Sequence, residues 1–521
     1  MQKKQIGQLF IVGYQGEEPT GDFLRFVEEW GIGGVIVFAR NLSDPSRLPA
    51  HLEKIAEASG QKIFTAIDQE GGLVLRILSK GSLFSSAMAL AATNSLELTE
   101  QSYQATGKEM LSLGLNWNLA PVLDINHPDN PGIGARSFSD QPFKVADYGC
   151  AAIRGMQKAG VLACAKHFPG KGHARVDSHL TLPVIPHTCE RLDSFELIPF
   201  KKAIQNGVDA IMTSHVFFPA YESAADLPAT LSKSVLTDLL RHQLDFKGIL
   251  VTDDLEMGAI TESFGIAQAA SMSFHAGADL LLICHSLNQQ RLAAETLLND
   301  LKHNRETGVR LSESLERITA ARQKLATHRP AQNLETLKEI HSPLIEKIHE
   351  QSIKFLRVDP RMVPLKTTGA DTLFVIPQIS SLVQVEEEHR QESLGAIIKN
   401  EFAAATVVVY DPKASAEQII AQISAEHSFE ESKNVQMFFF TYNSHILKEQ
   451  QSAIEHFAKI IKNIAVIALR NPYDLAACKS IKTCAATFGF RTPAIKALLK
   501  ALKGDIAPAT TLWPISIEGW S

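Results

Sequence analysis

Eight short apolar runs recur along the first part of the chain, and each stops on polar or charged residues. The runs are continuous rather than alternating, and several are rich in β-branched side chains. They are LFIVGY (9–14), VIVFAR (35–40), IFTAIDQE (63–70), NWNLAPVLDIN (116–126), VLACAKH (161–167), AIMTSHV (210–216), ILVTDD (249–254) and LLLICHS (280–286). Strands that are apolar on both faces are typical of a parallel sheet covered by helices. The pattern therefore predicts eight parallel strands.

Amphipathic segments that end in glycine separate these runs, as in DFLRFVEEWG, PFKVADYGCAAIRGMQKAG and FELIPFKKAIQNG. Glycine is the residue that most often follows the last turn of a helix, so the segments predict helices between the strands. Eight strand and helix units within about 320 residues favour a (β/α)8 barrel of the TIM type. A doubly wound parallel sheet is the alternative.

A second series of apolar runs begins near residue 371: TLFVIP, ATVVVYD, VQMFFFTY, IAVIAL and CAATFGF. Helical segments such as SAIEHFAKIIKN separate them, which predicts a smaller α/β sandwich with a mostly parallel sheet. The chain has 521 residues, more than one hydrophobic core usually organises. We therefore expect a catalytic barrel over residues 1–330, a linker over 331–370 and a second domain over 371–521.

The composition and net charge of the chain limit the classes of partner that it can bind. Hydrophobic residues make up 45% and charged residues 21%, as in ordinary globular proteins. A net charge of −6 argues against a nucleic-acid partner, and neither a signal-like leader nor an 18-residue apolar run indicates a membrane partner. The six cysteines show no CxxC spacing, which favours reduced, mostly buried thiols and a cytoplasmic location. Nothing in the sequence indicates an oligomeric state.

In a barrel of this type, chemistry takes place at the carboxyl ends of the strands. Those ends carry Asp68, Glu70, Asp124, Lys166, His167, His215, Asp253 and Asp254. Strand ends are also polar simply because they leave the core, which accounts for some of these residues. It does not account for a strand that ends in Lys-His and is followed by Pro-Gly.

Three residues suggest covalent and acid/base chemistry. Asp253, at the tip of a buried strand, is placed rigidly enough for a nucleophile, although Asp-Asp pairs also cap helices. Asp177 and His179 in the DSH triplet project to the same side of an extended backbone, so the carboxylate can orient the imidazole and favour its protonated form. The alternative is a turn that happens to contain both.

A metal site is disfavoured. The candidate ligands His167, His173 and His179 are six residues apart, which suits neither the usual zinc spacing nor one helix face, and nearby lysines would repel a cation. We expect no metal and no other cofactor. A site for sugar hydroxyl groups is suggested by Arg76, Arg136, Lys166 and Asp68, whose side chains offer hydrogen-bond donors and acceptors. A phosphate site is not suggested, because the phosphate-binding pattern GxxxxGK[ST] is absent.

Five motifs occur in a fixed order: DQEGG followed by Arg76, ARSF with Arg136, KHFPGKG, DSH and VTDDLEMGAI. Together they resemble glycoside hydrolase family 3, and within it the β-N-acetylhexosaminidase branch, the enzymes of peptidoglycan recycling. The resemblance covers about residues 5–325. The C-terminal stretch FGFRTPAIKALLKALKGDIAP is similar to the second α/β domain of the longer members.

The resemblance implies a retaining exo-β-N-acetylglucosaminidase that removes nonreducing terminal N-acetylglucosamine from peptidoglycan-derived muropeptides. It implies that Asp253 is the nucleophile and that His179, oriented by Asp177, is the acid/base. The positions that would bind the sugar ring are Asp68, Arg76, Arg136, Lys166 and His167. Two residues depart from the pattern of the family: Leu73 stands where relatives often have arginine, and Lys171 where they often have histidine.

Three alternatives remain open at this stage. One is a β-N-acetylglucosaminide phosphorylase of the same family, in which phosphate replaces water. Another is a sugar-binding protein without catalytic activity. The third is a metal-dependent barrel hydrolase.

Overall fold

The computed structural model describes residues 1–178, 181–325, 330–365, 371–379, 393–427, 429 and 435–519. Its first part is a ring of eight parallel strands in the order β7-β6-β5-β4-β3-β2-β1-β8. The strands are β1 (Phe10–Val12), β2 (Gly34–Val37), β3 (Phe64–Ile67), β4 (Trp117–Asn118), β5 (Leu162–Phe168), β6 (Ala210–Thr213), β7 (Ile249–Val251) and β8 (Leu281–Ile283). A parallel bridge between Val251 and Leu280 joins the last two strands and closes the ring. The predicted (β/α)8 barrel is confirmed.

Helices precede, connect and follow the strands of the ring. They are α1 (Gln2–Gly7), α2 (Gly21–Trp30), α3 (Leu48–Ser59), α4 (Ala87–Ala92), α5 (Leu96–Ser112), α6 (Pro142–Ala159), α7 (Cys189–Ser194), α8 (Ile198–Gln205), α9 (Gly258–Thr261), α10 (Ile266–Ala276), α11 (Leu287–His303) and α12 (Arg305–Lys324). A π-helical segment, Ser234–Gln243, lies between β6 and β7.

Helix α2 shows how local sequence defines these elements. The Thr20 side chain accepts a hydrogen bond from the Phe23 amide and so caps the first turn. Gly31, in the left-handed conformation, ends the helix, because a residue without Cβ adopts that conformation at little cost. Phe23, Phe26, Val27 and Trp30 are buried on one face, as the spacing of its apolar residues predicts.

The second sheet has six strands in the order β11-β10-β12-β13-β14-β9. The strands are β9 (Lys354–Arg357), β10 (Thr372–Pro377), β11 (Thr406–Tyr410), β12 (Gln436–Thr441), β13 (Asn463–Ala468) and β14 (Thr483–Ala486). The helices of this part are α13 (Leu334–Ser352), α14 (Leu394–Glu401), α15 (Ala416–Glu426), α16 (Glu449–Ile460) and α17 (Thr492–Lys503). All pairs are parallel except β9 with β14, so the predicted mostly parallel sheet is confirmed.

The connection between β3 and α4 packs against the second sheet. Leu73, Val74, Met88 and Ala89 share one apolar core with residues of β10, β12 and β13. The Ser86 hydroxyl donates to the Phe488 carbonyl at 2.6 Å, and Arg491 Nε donates to the Gly72 carbonyl at 3.0 Å. The barrel therefore shares a hydrophobic core with its neighbour at this connection.

Two further sequence expectations concern cysteines and membrane spans. All six cysteines are free thiols, and five of them are buried. Within the described ranges, no helix combines the length and the apolar character that a bilayer crossing requires. The division of the chain at residues 330 and 370 stays a prediction.

Candidate active site

A cavity of about 520 Å³ opens at the carboxyl ends of the barrel strands. Six residues predicted from the sequence as substrate-binding or catalytic line it: Asp68, Arg76, Arg136, Lys166, His167 and Asp253. They come from the end of β5 and from the connections after β3, β4 and β7, so only the closed barrel brings them together.

Glu70 is buried and positions two cations that line this cavity. Arg136 donates from Nε and Nη2 to the two carboxylate oxygens of Glu70, each at 2.8 Å. Lys166 Nζ lies 2.7 Å from Glu70 Oε1 and 2.6 Å from Asp68 Oδ1. Burial by itself would raise the pKa of Glu70, but the charges of Arg136 and Lys166 outweigh burial and hold that pKa well below its usual range. The three groups therefore stay charged and fixed in place.

A second pair orients His167. Its Nδ1 lies 2.6 Å from Asp124 Oδ2, and the other oxygen of Asp124 accepts from the backbone amide of Lys171 at 2.7 Å. Asp124 is fully buried. With Nδ1 bound to this carboxylate, Nε2 is the imidazole nitrogen on the side of Asp253, whose Oδ2 is 4.0 Å away. His167 is thus held ready to contact a bound ligand.

Asp253 follows β7 and lines the cavity. Its Oδ1 accepts from the amide of Asp254 at 2.9 Å, and its Oδ2 lies 3.9 Å from Lys171 Nζ. The side chain is 17% exposed, so it reaches the cavity without being free to rotate into solvent. Burial lowers the pKa of Lys171, while the Asp253 carboxylate opposes that change.

The neighbouring Asp254 has a different arrangement. Its Oδ1 accepts from the amides of Cys284 and Glu256, at 3.2 and 3.1 Å, which ties the end of β7 to the end of β8. His215 Nε2 lies 2.8 Å from the backbone carbonyl of Asp254 and Nδ1 lies 2.7 Å from Thr230 Oγ1. Burial lowers the pKa of His215, which favours the neutral ring. Asp254 and His215 hold the turn that presents Asp253.

Asp177 lines a small pocket that shares Arg136 and Lys171 with the main cavity. The structure thus places the predicted orienting carboxylate beside the cavity rather than on its wall. The predicted acid/base, His179, lies outside the described residues.

Comparison with known proteins identifies the family of the chain. Residues 1–321 match the glycosyl hydrolase family 3 N-terminal domain. The chain belongs to glycoside hydrolase family 3. The predicted family is confirmed, and with it the prediction that the chain is a glycoside hydrolase.

Relatives in family 3 cover different shares of the chain. The β-hexosaminidase A of Pseudoalteromonas piscicida is 32% identical over 366 residues, which are 62% of this chain and 61% of that protein. The chain thus spans about three-fifths of the length of that relative. The β-hexosaminidase of Tolumonas auensis is 36% identical over 296 residues, 56% of this chain and 86% of that protein.

One solved family 3 structure spans almost the whole chain. The β-N-acetylglucosaminidase from Paenibacillus sp. str. FPU-7 superposes with a TM-score of 0.88 at 36% identity, over 99% of this chain and 98% of that one. The two-part architecture is therefore shared with a family 3 member, including the second sheet.

The roles of Glu70 and Asp124 are not evident from the sequence, although both were noted as polar strand ends. Each acts by binding a residue that is distant in sequence: Glu70 is 66 positions from Arg136, and Asp124 is 43 positions from His167. Other cavity-lining residues outside the predicted set include Arg40, Glu256 and His285. In the sequence, these residues could have been found from their positions after the strands β2, β7 and β8.

The two departures from the family pattern have different surroundings. Lys171 lines the cavity near Asp253. Leu73 is 2% exposed and packs in the core shared with the second sheet, so its side chain is part of that packing rather than of a subsite.

Proposed function

We propose that this family 3 member is a retaining exo-β-N-acetylglucosaminidase, with Asp253 as nucleophile and His179 as acid/base, oriented by Asp177. One observation carries the proposal: Asp253 presents a carboxylate to the cavity with one oxygen held by a backbone amide and the other near Lys171 and His167. The matched β-hexosaminidases and the β-N-acetylglucosaminidase of similar structure support this activity.

In the first step, Asp253 Oδ2 attacks the anomeric carbon, and the bond from that carbon to the leaving-group oxygen breaks. The transition state resembles an oxocarbenium ion. His179 gives its proton to the departing oxygen, and the sugar remains esterified to Asp253. Lys171 and the Asp254 amide align the attacking carboxylate.

In the second step, His179 removes a proton from water, and the resulting oxygen attacks the anomeric carbon. The ester bond to Asp253 breaks, and the two inversions give net retention. The imidazole is protonated again and ready for the next cycle. Asp177 serves throughout by stabilising the charged ring.

The sugar ring is held by Asp68, Arg76, Arg136, Lys166 and His167, which offer donors and acceptors in the wall of the cavity. The ion pairs with Glu70 fix Arg136 and Lys166 before the ligand arrives, so little side-chain entropy is lost on binding.

We assign the aglycone to the muropeptide class. The cations Arg40 and Lys171 at the same cavity suit carboxylate-bearing leaving groups of this kind. A cytoplasmic location belongs to the same proposal.

The decisive experiment is to trap the covalent intermediate. A fluorinated N-acetylglucosaminyl donor that forms the ester quickly and loses it slowly should add one sugar to the protein. Peptide mapping by mass spectrometry should find that mass on Asp253. Labelling of another carboxylate, or no label together with normal turnover of an aryl N-acetyl-β-glucosaminide, would contradict the assignment.

The phosphorylase alternative is tested in the same assay. With inorganic phosphate added, a hydrolase gives free N-acetylglucosamine at an unchanged rate. A phosphate-dependent rise in rate with formation of the sugar 1-phosphate would assign the chain to phosphorolysis instead.

A further inference from the structure

A cluster of two histidines and a glutamate lies on the connections between β5, α7 and α8. His173 follows β5, His187 lies two residues before the start of α7, and Glu196 lies between α7 and α8. One ligand-type atom from each of the three residues lies within 4.8 Å of the others. Among the described residues, these three form the one group of this kind.

The cluster contains buried polar atoms that have no hydrogen-bond partner. Glu196 is 3% exposed and its Oε2 is unpaired, as is the buried Nε2 of His187. Leaving such atoms without partners is costly in a protein interior. Arg191 donates to the other oxygen, Oε1, at 3.3 Å, so the guanidinium leaves Oε2 available.

The rings are already packed together. His173 and His187 lie edge to face with centroids 4.6 Å apart, and His173 Nδ1 is 3.7 Å from Glu196 Oε1. An imidazole nitrogen offers a lone pair to a metal ion.

Two imidazoles and one carboxylate, with room for water as a fourth ligand, suit Zn²⁺ better than Mg²⁺ or Ca²⁺. Bonds to zinc of about 2.0–2.2 Å require the three atoms to move inward by roughly an ångström, which side-chain rotation supplies. The sequence disfavoured His173 as a ligand together with His167 and His179. The structure instead binds His167 to Asp124 and groups His173 with His187.

An ion at this position would join residues on both sides of Asp177. His173 comes four residues before it and His187 ten residues after it. In the observed arrangement Asp177 lines the small side pocket, not the main cavity. We propose that His173, His187 and Glu196 form a Zn²⁺ site, and that Zn²⁺ bound there holds Asp177 away from the cavity and inhibits the enzyme. The inhibition, but not the binding, rests on the proposed function.

Binding is tested without reference to activity. Tag-free protein is treated with EDTA, dialysed and titrated with ZnCl₂ in a calorimeter. We expect one saturable site, with affinity at least tenfold weaker in His187→Ala and in Glu196→Gln. The control His242→Ala removes a histidine that is 70% exposed on the π-helical segment and should bind as the wild type does. Equal affinity in all four proteins, or no saturable binding, would overturn the site.

Two further measurements separate the loss of a metal ligand from misfolding of a variant. Circular dichroism and melting of the metal-free variants show whether they are folded, and Glu196→Gln keeps the shape of the side chain if His187→Ala is unstable. Co²⁺ provides a second measurement, because four-coordinate Co²⁺ absorbs visible light strongly. We expect that absorption in the wild type and its loss in both ligand variants; equal absorption in the variants would contradict the ligand assignment.

Inhibition is tested last. Saturating Zn²⁺ should lower kcat of the wild type at least threefold and leave kcat of His187→Ala unchanged. Tight binding with unchanged kcat would overturn the inhibitory role. A chain that binds Zn²⁺ but hydrolyses no N-acetylglucosaminide would instead refute the proposed function while leaving the metal site intact.

Discussion

Asp253 and Asp254 are adjacent in sequence and chemically identical, yet the structure gives them different partners. Asp253 presents one oxygen toward Lys171 and His167 at the cavity, whereas Asp254 accepts from two backbone amides and ties β7 to β8. The backbone direction at the end of β7 thus separates a carboxylate that faces the cavity from one that binds the backbone.

This contrast gives a matched pair of variants. Asp253→Asn should lower kcat on an aryl N-acetyl-β-glucosaminide by at least about 10³-fold, because an amide is a poor nucleophile. Asp254→Asn should lower it far less, because the amide oxygen can still accept from Cys284 and Glu256. Steady-state kinetics on both variants, with melting curves to confirm folding, checks the assignment. Equal losses would mean that Asp253 acts only through local structure.

Glu70 gives a prediction about stability and pH. Glu70→Gln leaves Arg136 and Lys166 buried with a neutral partner, which should cost about 3 kcal/mol of unfolding free energy at pH 7. The folded-state pKa of Glu70 lies below its ordinary value of 4.5, so its contribution is complete above that value and is lost as the pH falls further.

The stability difference between wild type and Glu70→Gln should therefore be constant from pH 7 to about 5 and shrink in more acidic solution. Urea unfolding of the barrel transition at a series of pH values measures it. A difference that grows below pH 4 would show that another group dominates.

At the scale of elements, the turn after β3 depends on two glycines. Gly71 and Gly72 have φ of 101° and 59°, and a Cβ at Gly72 would lie 2.5 Å from the Ser86 Cβ. Arg491 donates to the Gly72 carbonyl from the second domain. The turn therefore links three segments at a point directly after Glu70.

Gly72→Ala should destabilise the protein by more than about 2 kcal/mol, because the left-handed conformation and the collision with Ser86 both oppose a side chain. Gly60→Ala is the control: Gly60 has φ of 70° but nothing within 4 Å of its Cβ position, so only the conformational cost of about 1 kcal/mol remains. Thermal unfolding compares the two. We also expect a higher KM in Gly72→Ala alone, since Glu70 would shift.

The strands were predictable where the apolar run is buried and continuous, and less so where proline enters. The run NWNLAPVLDIN predicted a strand over 116–126, but β4 covers only Trp117–Asn118. Pro121 has no amide hydrogen to donate to a neighbouring strand. Strand β9 was not predicted. It has only four residues, directly before a segment with two prolines, which is too short for a clear pattern. Its pairing with β14 also depends on contacts distant in sequence.

At the scale of the molecule, the shared core around Leu73 and Met88 implies that the barrel depends on its neighbour. A chain ending at residue 330 should expose this apolar surface, melt at a lower temperature and bind a hydrophobic dye. The same fragment with Leu73→Gln and Met88→Lys should bind less dye. A fragment that melts like the full chain would contradict this dependence.

The sequence could not predict this contact, because Leu73 and Met88 have the same apolar character as residues inside the barrel. Strand number, strand order along the chain and the polar strand ends follow from local pattern, and they were sufficient to indicate Asp68, Lys166 and Asp253. Which apolar side chains face another domain, and which carboxylate supports which cation, depends on packing in three dimensions.

The bridge between Val251 and Leu280 lies two residues from Asp253. The proposed nucleophile thus lies next to the joint between β7 and β8 that closes the ring. Turnover recorded during slow heating would then report on that joint, and activity should fade before the far-ultraviolet signal of the helices does.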